Sequence, residues 1–283
     1  MTESPIGVFD SGIGGLSVLQ SLLANLPAEH FVYWADSAHA PYGEKTDLFV
    51  SQRSLAITDH LIRQHQIKAL VVACNTATAV AIHQLRTQYP ELILIGVEPA
   101  LKPALLMTQT GHIGVMGTRG TLASEKFQRL LGSLQNQAHF TVQACNGLAL
   151  AIEQSTSLTD DAQATEGISQ LLQHYTQRMG EFGTGAGQMD TLVLGCTHYV
   201  FAQDALRALL GPHVRLVSTG EPVARQTRRL LETAGLLRSG PTPQALSEHV
   251  RLLTNGDLTG LQAAAQRWLN LPHTACHRAD LQV

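Results

Sequence analysis

Short apolar runs alternate with amphipathic segments along the whole chain. Between the runs, apolar residues recur at helical spacing, as at Leu48, Leu55 and Ile62. This alternation predicts an α/β fold whose mainly parallel sheets are covered by helices on both faces. Nine runs indicate strands, more than one sheet of typical size needs, so we expect two sheets. The runs are residues 6–9, 31–35, 69–73, 92–97, 112–116, 140–142, 191–194, 214–217 and 249–253.

A weak internal repeat indicates that the chain has two similar halves. The run Ile-Gly-Val occurs at 6–8 and again at 113–115, and each copy leads into a small polar turn. Further along, one apolar run ends in Cys74 and another ends in Cys196. Two matches in the same order predict two halves built on one plan.

The composition excludes several classes of protein. Of the 283 residues, 44% are hydrophobic and 14% are charged, whereas a disordered chain carries more charge and less apolar surface. A net charge of −3, with scattered basic residues, provides no surface for nucleic acid or for a membrane. The sequence contains no targeting signal and no apolar run of about 20 residues. We therefore expect a cytoplasmic protein that binds neither nucleic acid nor membrane.

The four cysteines are too widely spaced for a disulfide framework or a compact zinc site. They are Cys74, Cys145, Cys196 and Cys276. Near the C-terminus, His273 and His277 flank Cys276, but three possible ligands in a terminal segment are too few for us to predict a metal site.

Cys74 and Cys196 each lie where a predicted strand ends and a helix begins. Ligands of parallel α/β proteins bind at the carboxyl ends of the strands. A thiol in that position faces the free N–H groups and the positive dipole of the following helix, which stabilise a thiolate. Asn75 and Thr76 add donors beside Cys74, and Thr197 does so beside Cys196, which suits an anionic ligand. One such cysteine is most simply a buried structural thiol, but two in matching positions favour a functional role.

Two thiols in two half-domains suit a reversible proton transfer at one carbon atom. One thiolate removes a proton from one face while a thiol delivers a proton to the other face, and the roles exchange in the reverse direction. A free thiol has a pKa near 8.5, so nearby groups must assist. His198 and Asp10 are the candidates for that assistance.

Two turns are candidate parts of the same site. Residues 10–15 form a glycine-rich strand-to-helix turn whose spacing does not match a nucleotide motif, so we expect it to bind a small carboxylate. Residues 40–45 read as a rigid turn in which Pro41 and Gly43 flank Tyr42.

Four motifs, in this order, resemble those of the glutamate racemase family. They are Asp-Ser-Gly-Ile-Gly-Gly at 10–15, Pro-Tyr-Gly-Glu-Lys at 41–45, Ala-Cys-Asn-Thr-Ala at 73–77 and Leu-Gly-Cys-Thr-His-Tyr at 194–199. The two cysteine motifs together are highly specific. The resemblance implies two pseudo-symmetric, doubly wound α/β domains with the active site in the cleft between them. It also implies cofactor-free interconversion of L- and D-glutamate, in a homodimer, for peptidoglycan synthesis.

The resemblance further implies a role for each residue at a matching position. Cys74 would face the α-proton of D-glutamate and Cys196 that of L-glutamate, while Asp10 and His198 would assist them. The substrate-binding residues would be Ser11, Tyr42, Gly43, Asn75, Thr76 and Thr197, with Thr118, Thr121 and Glu153 at more loosely matching positions.

In the family, the first domain resumes after the second. We therefore expect a first domain at 1–97 and 209–267, a second at 98–208, and a C-terminal tail at 268–283. Some residues depart from the family pattern: Ala40 stands where an aromatic often precedes Pro-Tyr-Gly, and Val200-Phe201 replaces a usual Pro-Leu.

Alternative functions remain open from the sequence. The nearest is a two-thiol racemase acting on aspartate or hydantoins, and a second is a ligand-binding regulator that keeps the fold without turnover. A thiol redox enzyme would require Cys74 and Cys196 to come within disulfide distance. A pyridoxal phosphate enzyme would need a lysine in a phosphate-binding context, and none of the four is in one: Lys45, Lys68, Lys102 and Lys126.

Overall fold

The computed structural model describes residues 2–156, 161–241, 243 and 245–281. The described strands are β1 (Ile6–Asp10), β2 (Phe31–Ala35), β3 (Ala69–Val72), β4 (Ile93–Gly96), β5 (His112–Gly117), β6 (His139–Ala144), β7 (Thr191–Leu194), β8 (Arg215–Val217), β9 (Val250–Thr254) and β10 (Cys276–Arg278). The helices are α1 (Leu16–Asn25), α2 (Asp47–His65), α3 (Asn75–Gln88), α4 (Leu101–Met107), α5 (Arg119–Ala123), α6 (Glu125–Leu134), α7 (Leu148–Gln154), α8 (Asp161–Met179), α9 (Gln203–Leu210), α10 (Gly220–Thr233) and α11 (Leu258–Leu269).

The strands form two parallel sheets. The first sheet has six strands in the order β10-β9-β2-β1-β3-β4, and the second has four in the order β6-β5-β7-β8. Every pairing within both sheets is parallel, with Ile6 of β1 opposite Phe31 and Ala69. The α/β class with two sheets, predicted from the alternating pattern, is confirmed.

The two halves repeat one topology. The order β2-β1-β3-β4 in the first sheet corresponds strand for strand to β6-β5-β7-β8 in the second. The Ile-Gly-Val runs lie in β1 and β5, and the runs that end in cysteine lead out of β3 and β7. The internal repeat seen in the sequence is therefore a repeat of equivalent strands.

Each sheet is covered by apolar side chains on both faces. On the first sheet, one face packs against α1, α10 and α11, and the other against α2 and α3. On the second sheet, α7, α8 and α9 cover one face while α4, α5 and α6 cover the other. Strands that are buried on both faces consist of nearly continuous apolar residues. For this reason most of the strands could be predicted from apolar runs in the sequence. Among the described helices, none combines the length and hydropathy needed to span a membrane.

Two features of the chain path differ from the sequence prediction. β8 pairs with β7 in the second sheet, so the chain returns to the first sheet after Val217 and not near Leu209. The predicted C-terminal tail contains β10, which pairs with β9 at the edge of the first sheet and buries Cys276. With β8, the second sheet has the same four-strand order as β2-β1-β3-β4 of the first sheet. The strand β10 is held by backbone pairing to β9, which cannot be recognised from its polar sequence.

Candidate active site

A narrow cavity lies where the carboxyl ends of the two sheets meet. It is lined by Asp10, Ser11, Pro41, Tyr42, Gly43, Cys74, Asn75, Thr76, Thr118, Thr121, Ala149, Cys196, Thr197 and His198. β1 and β3 supply residues from the first half, and β5 and β7 supply them from the second. In each sheet these two strands are neighbours at the point where the strand order reverses, the usual ligand position of a doubly wound sheet. All the predicted site residues except Glu153 line this cavity.

Cys74 is the N-cap residue of α3. Its sulfur accepts a hydrogen bond from the backbone N–H of Ala77 at 3.4 Å, and its thiol lies 3.9 Å from Oγ of Ser11. Burial raises the pKa of Cys74 well above its usual value, and the nearby carboxylate of Asp10 raises it further. The helix N–H is present as predicted, but burial outweighs it, so the thiol form of Cys74 is favoured in this conformation.

Cys196 has a different neighbour from Cys74. It precedes a 3₁₀ turn, Thr197–Ala202, and its sulfur lies 3.7 Å from Nδ1 of His198. The other ring nitrogen, Nε2, lies 2.7 Å from Oε2 of Glu153. Burial alone would lower the pKa of His198, but its contacts with Cys196 and Glu153 outweigh burial and raise that pKa well above the usual value. The ring of His198 lies between the sulfur and the carboxylate, and these contacts favour its protonated form.

Glu153 lies behind His198 and is absent from the cavity wall. It belongs to α7 of the second half, but its carboxylate accepts hydrogen bonds from the first half: the backbone N–H of Ile13 and the hydroxyl of Ser37, each at 2.9 Å. The glycine-rich turn, which the sequence led us to expect at a small carboxylate, thus binds a carboxylate of the protein itself. The contact also needs Gly12, since a Cβ there would lie 2.2 Å from Oε2 of Glu153.

Asp10 connects the two halves on the Cys74 side of the site. One carboxylate oxygen accepts the backbone N–H of Ser11 at 2.6 Å, and the other accepts the hydroxyl of Thr197 at 3.0 Å. Burial raises the pKa of Asp10 above its usual value, while the charge of His198 opposes that shift. The hydroxyl of Ser11 lies between Asp10 and Cys74, so Asp10 acts on the thiol by charge and through Ser11.

Threonine hydroxyls and one amide form the rest of the polar wall. The hydroxyl oxygens of Thr76, Thr118 and Thr121 form a triangle with sides of 3.0–3.2 Å across the two halves. Both polar atoms of the buried Asn75 side chain lack a hydrogen-bond partner within the protein. A buried amide without partners is costly, and a polar ligand in the cavity would satisfy it.

A cluster around Asp36, which no sequence motif indicated, holds the Tyr42 turn. The hydroxyl of Tyr42 donates to Asp36 at 2.5 Å, Nε of Arg53 donates at 3.0 Å, and Nδ2 of Asn255 donates at 2.6 Å. Burial alone would raise the pKa of Asp36, but the bonds from Arg53 and Tyr42 lower it. The Tyr42 hydroxyl is therefore engaged inside the protein, and Tyr42 offers the cavity its ring and the backbone of its turn.

Among the residues that the structure describes, no group of three or more His, Cys, Asp or Glu side chains is placed to hold a metal ion. All four cysteines are free thiols. Two thiols, an imidazole, a carboxylate, an amide and several hydroxyls line the cavity.

Known proteins are similar to this chain in both sequence and fold. A glutamate racemase of Pseudomonas syringae pv. tomato is 46% identical over 244 residues, covering 86% of this chain and 84% of that protein. The crystal structure of glutamate racemase isoform RacE1 from Bacillus anthracis covers 100% of both chains with a TM-score of 0.83 and 30% identity. That of Escherichia coli glutamate racemase with L-glutamate and the activator UDP-MurNAc-ala covers 94% of this chain and 95% of that one, with a TM-score of 0.77 and 31% identity. Residues 6–234 match the family described as Asp/Glu/Hydantoin racemase. The chain belongs to the Asp/Glu/hydantoin racemase family.

Proposed function

We propose that this protein interconverts L- and D-glutamate without a cofactor, using Cys74 and Cys196 as its two acid/base groups. The observation that carries the proposal is that two thiols, one at a strand end in each half, line one small cavity. Inversion at a carbon atom needs a base on one face and an acid on the other. Two halves related by a topological repeat supply equivalent groups from opposite sides.

The environments of the two cysteines assign different starting roles. Cys196 has His198 beside it, and the raised pKa of His198 favours the imidazolium, which would be a cationic neighbour for a thiolate. Cys74 is near the carboxylate of Asp10 and its raised pKa favours the thiol. In this state Cys196 removes the α-proton from L-glutamate, and Cys74 delivers its proton to the opposite face of the planar carbanion. The reverse reaction starts from the opposite protonation state, with Cys74 as thiolate and Cys196 as thiol.

Hydrogen-bond donors around the cavity suit the two carboxylates of glutamate. Asn75 has an unused amide. The hydroxyls of Thr76, Thr118 and Thr121 bond to one another, and that of Thr118 also accepts the backbone N–H of Thr121, so the hydroxyl hydrogens can turn to a ligand. The N-terminus of α3 adds a positive dipole at the same wall. Ser11, Tyr42, Gly43 and Thr197 complete the proposed substrate-binding set, while Glu153 acts through His198.

The relatives support glutamate over other substrates of the family. The similar proteins named above are glutamate racemases, and the E. coli structure holds L-glutamate. We further propose that the D-glutamate supplies peptidoglycan synthesis, that the protein works in the cytoplasm and that it forms a homodimer, as the family resemblance implies.

Circular dichroism of the substrate tests this function directly. We expect the signal of L-glutamate, and that of D-glutamate, to decay to zero with the dialysed protein and no added cofactor. L-Aspartate and an L-hydantoin should keep their signals under the same conditions. Decay with aspartate or hydantoin at a comparable rate would contradict the assignment to glutamate, and decay only after addition of pyridoxal phosphate would contradict the thiol mechanism.

Glu153→Gln should shift the pH dependence of the reaction. The carboxylate helps to raise the pKa of His198, so its neutralisation leaves burial, which lowers that pKa, less opposed. His198 then loses its proton at a lower pH, and the alkaline limb of the kcat profile moves to lower pH. A hydrogen bond to a charged group contributes about 1.5–3 kcal/mol, so kcat at neutral pH should fall about 10- to 100-fold.

Glu166→Gln is the matched control for this variant. Glu166 is an exposed carboxylate of α8 in the same half, and its contact is with the Gln170 amide. We expect its pH profile and kcat to match the wild type. A profile of Glu153→Gln that is lowered at every pH without displacement would show that Glu153 does not act through the His198 proton.

A further inference from the structure

An aromatic stack joins the turn of Cys196 to the opposite half of the molecule. The rings of Phe201 and Trp268 have centroids 3.6 Å apart and planes inclined by 9°. Phe201 lies in the Thr197–Ala202 turn of the second half, and Trp268 lies near the end of α11, which covers the first sheet. Phe201 is also one of the positions at which this chain departs from the family pattern. The stack therefore depends on a residue that differs from the family pattern, and neither of its two rings lines the cavity.

Helix α1 and the glycine-rich turn before it support the same turn at other points. Oγ of Ser17 in α1 donates to the carbonyl oxygen of Thr197 at 3.1 Å. Gly14 approaches so closely that a Cβ there would lie 2.3 Å from Nδ1 of His198. The side-chain amide of Gln20 in α1 donates to the carbonyl oxygen of Trp268 at 3.1 Å, which ties α1 to α11. The turn is thus held at its start by α1 and near its end by α11.

We propose that Phe201 and Trp268 are positioning residues for the second acid/base group. The stack fixes how far the Thr197–Ala202 turn lies from the first half, and Cys196 and His198 move with that turn. Cys74 lies at the other wall, on α3, and does not depend on the stack. This inference rests on the proposed racemase function for its kinetic consequence, but its structural consequence, a displacement of Cys196 relative to Cys74, does not.

Thiol alkylation tests the structural consequence without any substrate. Phe201→Ala and Trp268→Leu remove the stack, whereas Phe201→Tyr and Trp268→Phe keep two stacked rings. Each protein is treated with iodoacetamide, and the alkylation rates of Cys196 and Cys74 are measured by peptide mass spectrometry. We expect the Cys196/Cys74 rate ratio to change about 2- to 10-fold in the first two variants, the range that corresponds to an aromatic pair, and to stay at the wild-type value in the other two.

Kinetic isotope effects test the catalytic consequence. With α-deuterated L-glutamate, the primary isotope effect on kcat should rise in Phe201→Ala because proton removal by Cys196 becomes slower. With α-deuterated D-glutamate, where Cys74 removes the proton, the isotope effect should change less. The ring-retaining variants should restore both values.

Leu258→Ala is the control for a general loss of stability. Leu258 lies in α11 and packs against the same apolar core as Trp268, but it is not part of the stack. If Phe201→Ala has the alkylation ratio and isotope effects of Leu258→Ala, the stack only stabilises the fold and the inference is wrong. If the wild-type protein does not racemise glutamate, the proposed function fails, while the alkylation ratio still decides whether the stack positions Cys196.

Discussion

Replacing Cys74 or Cys196 by serine should lower kcat for glutamate racemisation by about 10²- to 10⁴-fold, the contribution typical of a positioned acid or base. A hydroxyl has nearly the volume of a thiol, so the cavity keeps its shape, but it is a far weaker acid and cannot form the anion that removes an α-proton near neutral pH. Because every turnover in either direction uses both groups, both variants should lose racemisation in both directions. The loss is measured by circular dichroism of each enantiomer.

Deuterium exchange should separate the two variants. In Cys74→Ser, the remaining Cys196 can still remove and return the α-proton of L-glutamate. We therefore expect deuterium from D₂O to enter L-glutamate faster than D-glutamate is formed. In Cys196→Ser the same excess of exchange over racemisation should occur with D-glutamate. NMR of the α-proton gives both rates in one sample.

Cys276→Ala is the matched control for the two serine variants. Cys276 is a buried free thiol in β10, at the edge of the first sheet and outside the cavity. Its replacement should leave kcat within about twofold of the wild type, because a conservative change away from the site acts on stability alone. Equal losses in Cys276→Ala and the serine variants, or undiminished racemisation in either serine variant, would overturn the two-base proposal.

The fold could be predicted where sequence pattern and burial coincide. β1, β3 and β7 are buried at every position, so each appears as an apolar run, apart from Asp10 at the end of β1 and Thr191 at the start of β7. β10 was missed because only Cys276 of its three residues is buried and its place depends on backbone bonds to β9. The strand at 214–217 was predicted, but its assignment to the first half was wrong, because it pairs with β7. A strand's own sequence does not determine which strand it pairs with.

The site could be predicted where motif residues follow the ends of strands. The two cysteine motifs follow β3 and β7, and the parallel topology then brings them to one cavity. Asp36, Arg53 and Asn255 could not be found in this way, because Asn255 reaches Asp36 across 219 positions of sequence. Glu153 was named by resemblance as a substrate contact, yet its carboxylate bonds to His198 and to the first half. Glu153 is far in sequence from all four motifs, so those partners could not be predicted.

A buried ion pair was equally invisible in the sequence. Nζ of Lys68 lies 2.6 Å from Oε2 of Glu29, with both side chains at most 2% exposed. Lys68 also donates to the carbonyl oxygens of Thr2 and Leu236, and the backbone N–H of Arg238 donates to Glu29. The pair thus fastens the N-terminal segment and the segment after α10 to the amino end of β3. In the sequence, Lys68 was notable only as one of four lysines.

Lys68→Met should lower the free energy of unfolding by about 3–5 kcal/mol, because it leaves the Glu29 charge buried without a counter-ion. At roughly 2–4 °C for each kcal/mol in a chain of this size, the melting temperature should fall by about 10 °C. Below the transition, kcat should remain that of the wild type, because neither residue lines the cavity. Urea unfolding and thermal melting measure the loss, with Lys102→Met, an exposed lysine of α4, as the control expected within about 0.5 kcal/mol of the wild type.

The double variant Lys68→Met, Glu29→Gln tests whether the lost stability comes from the unpaired charge of Glu29. The cost of breaking a buried ion pair lies mostly in the charge that is left behind, so neutralising Glu29 as well should recover at least half of the stability lost in Lys68→Met. Glutamine keeps an acceptor for the N–H of Arg238, so the second substitution adds little cost of its own. If instead the two single losses simply add, the two charges do not stabilise each other. The lysine would then act only through its bonds to the carbonyl oxygens of Thr2 and Leu236.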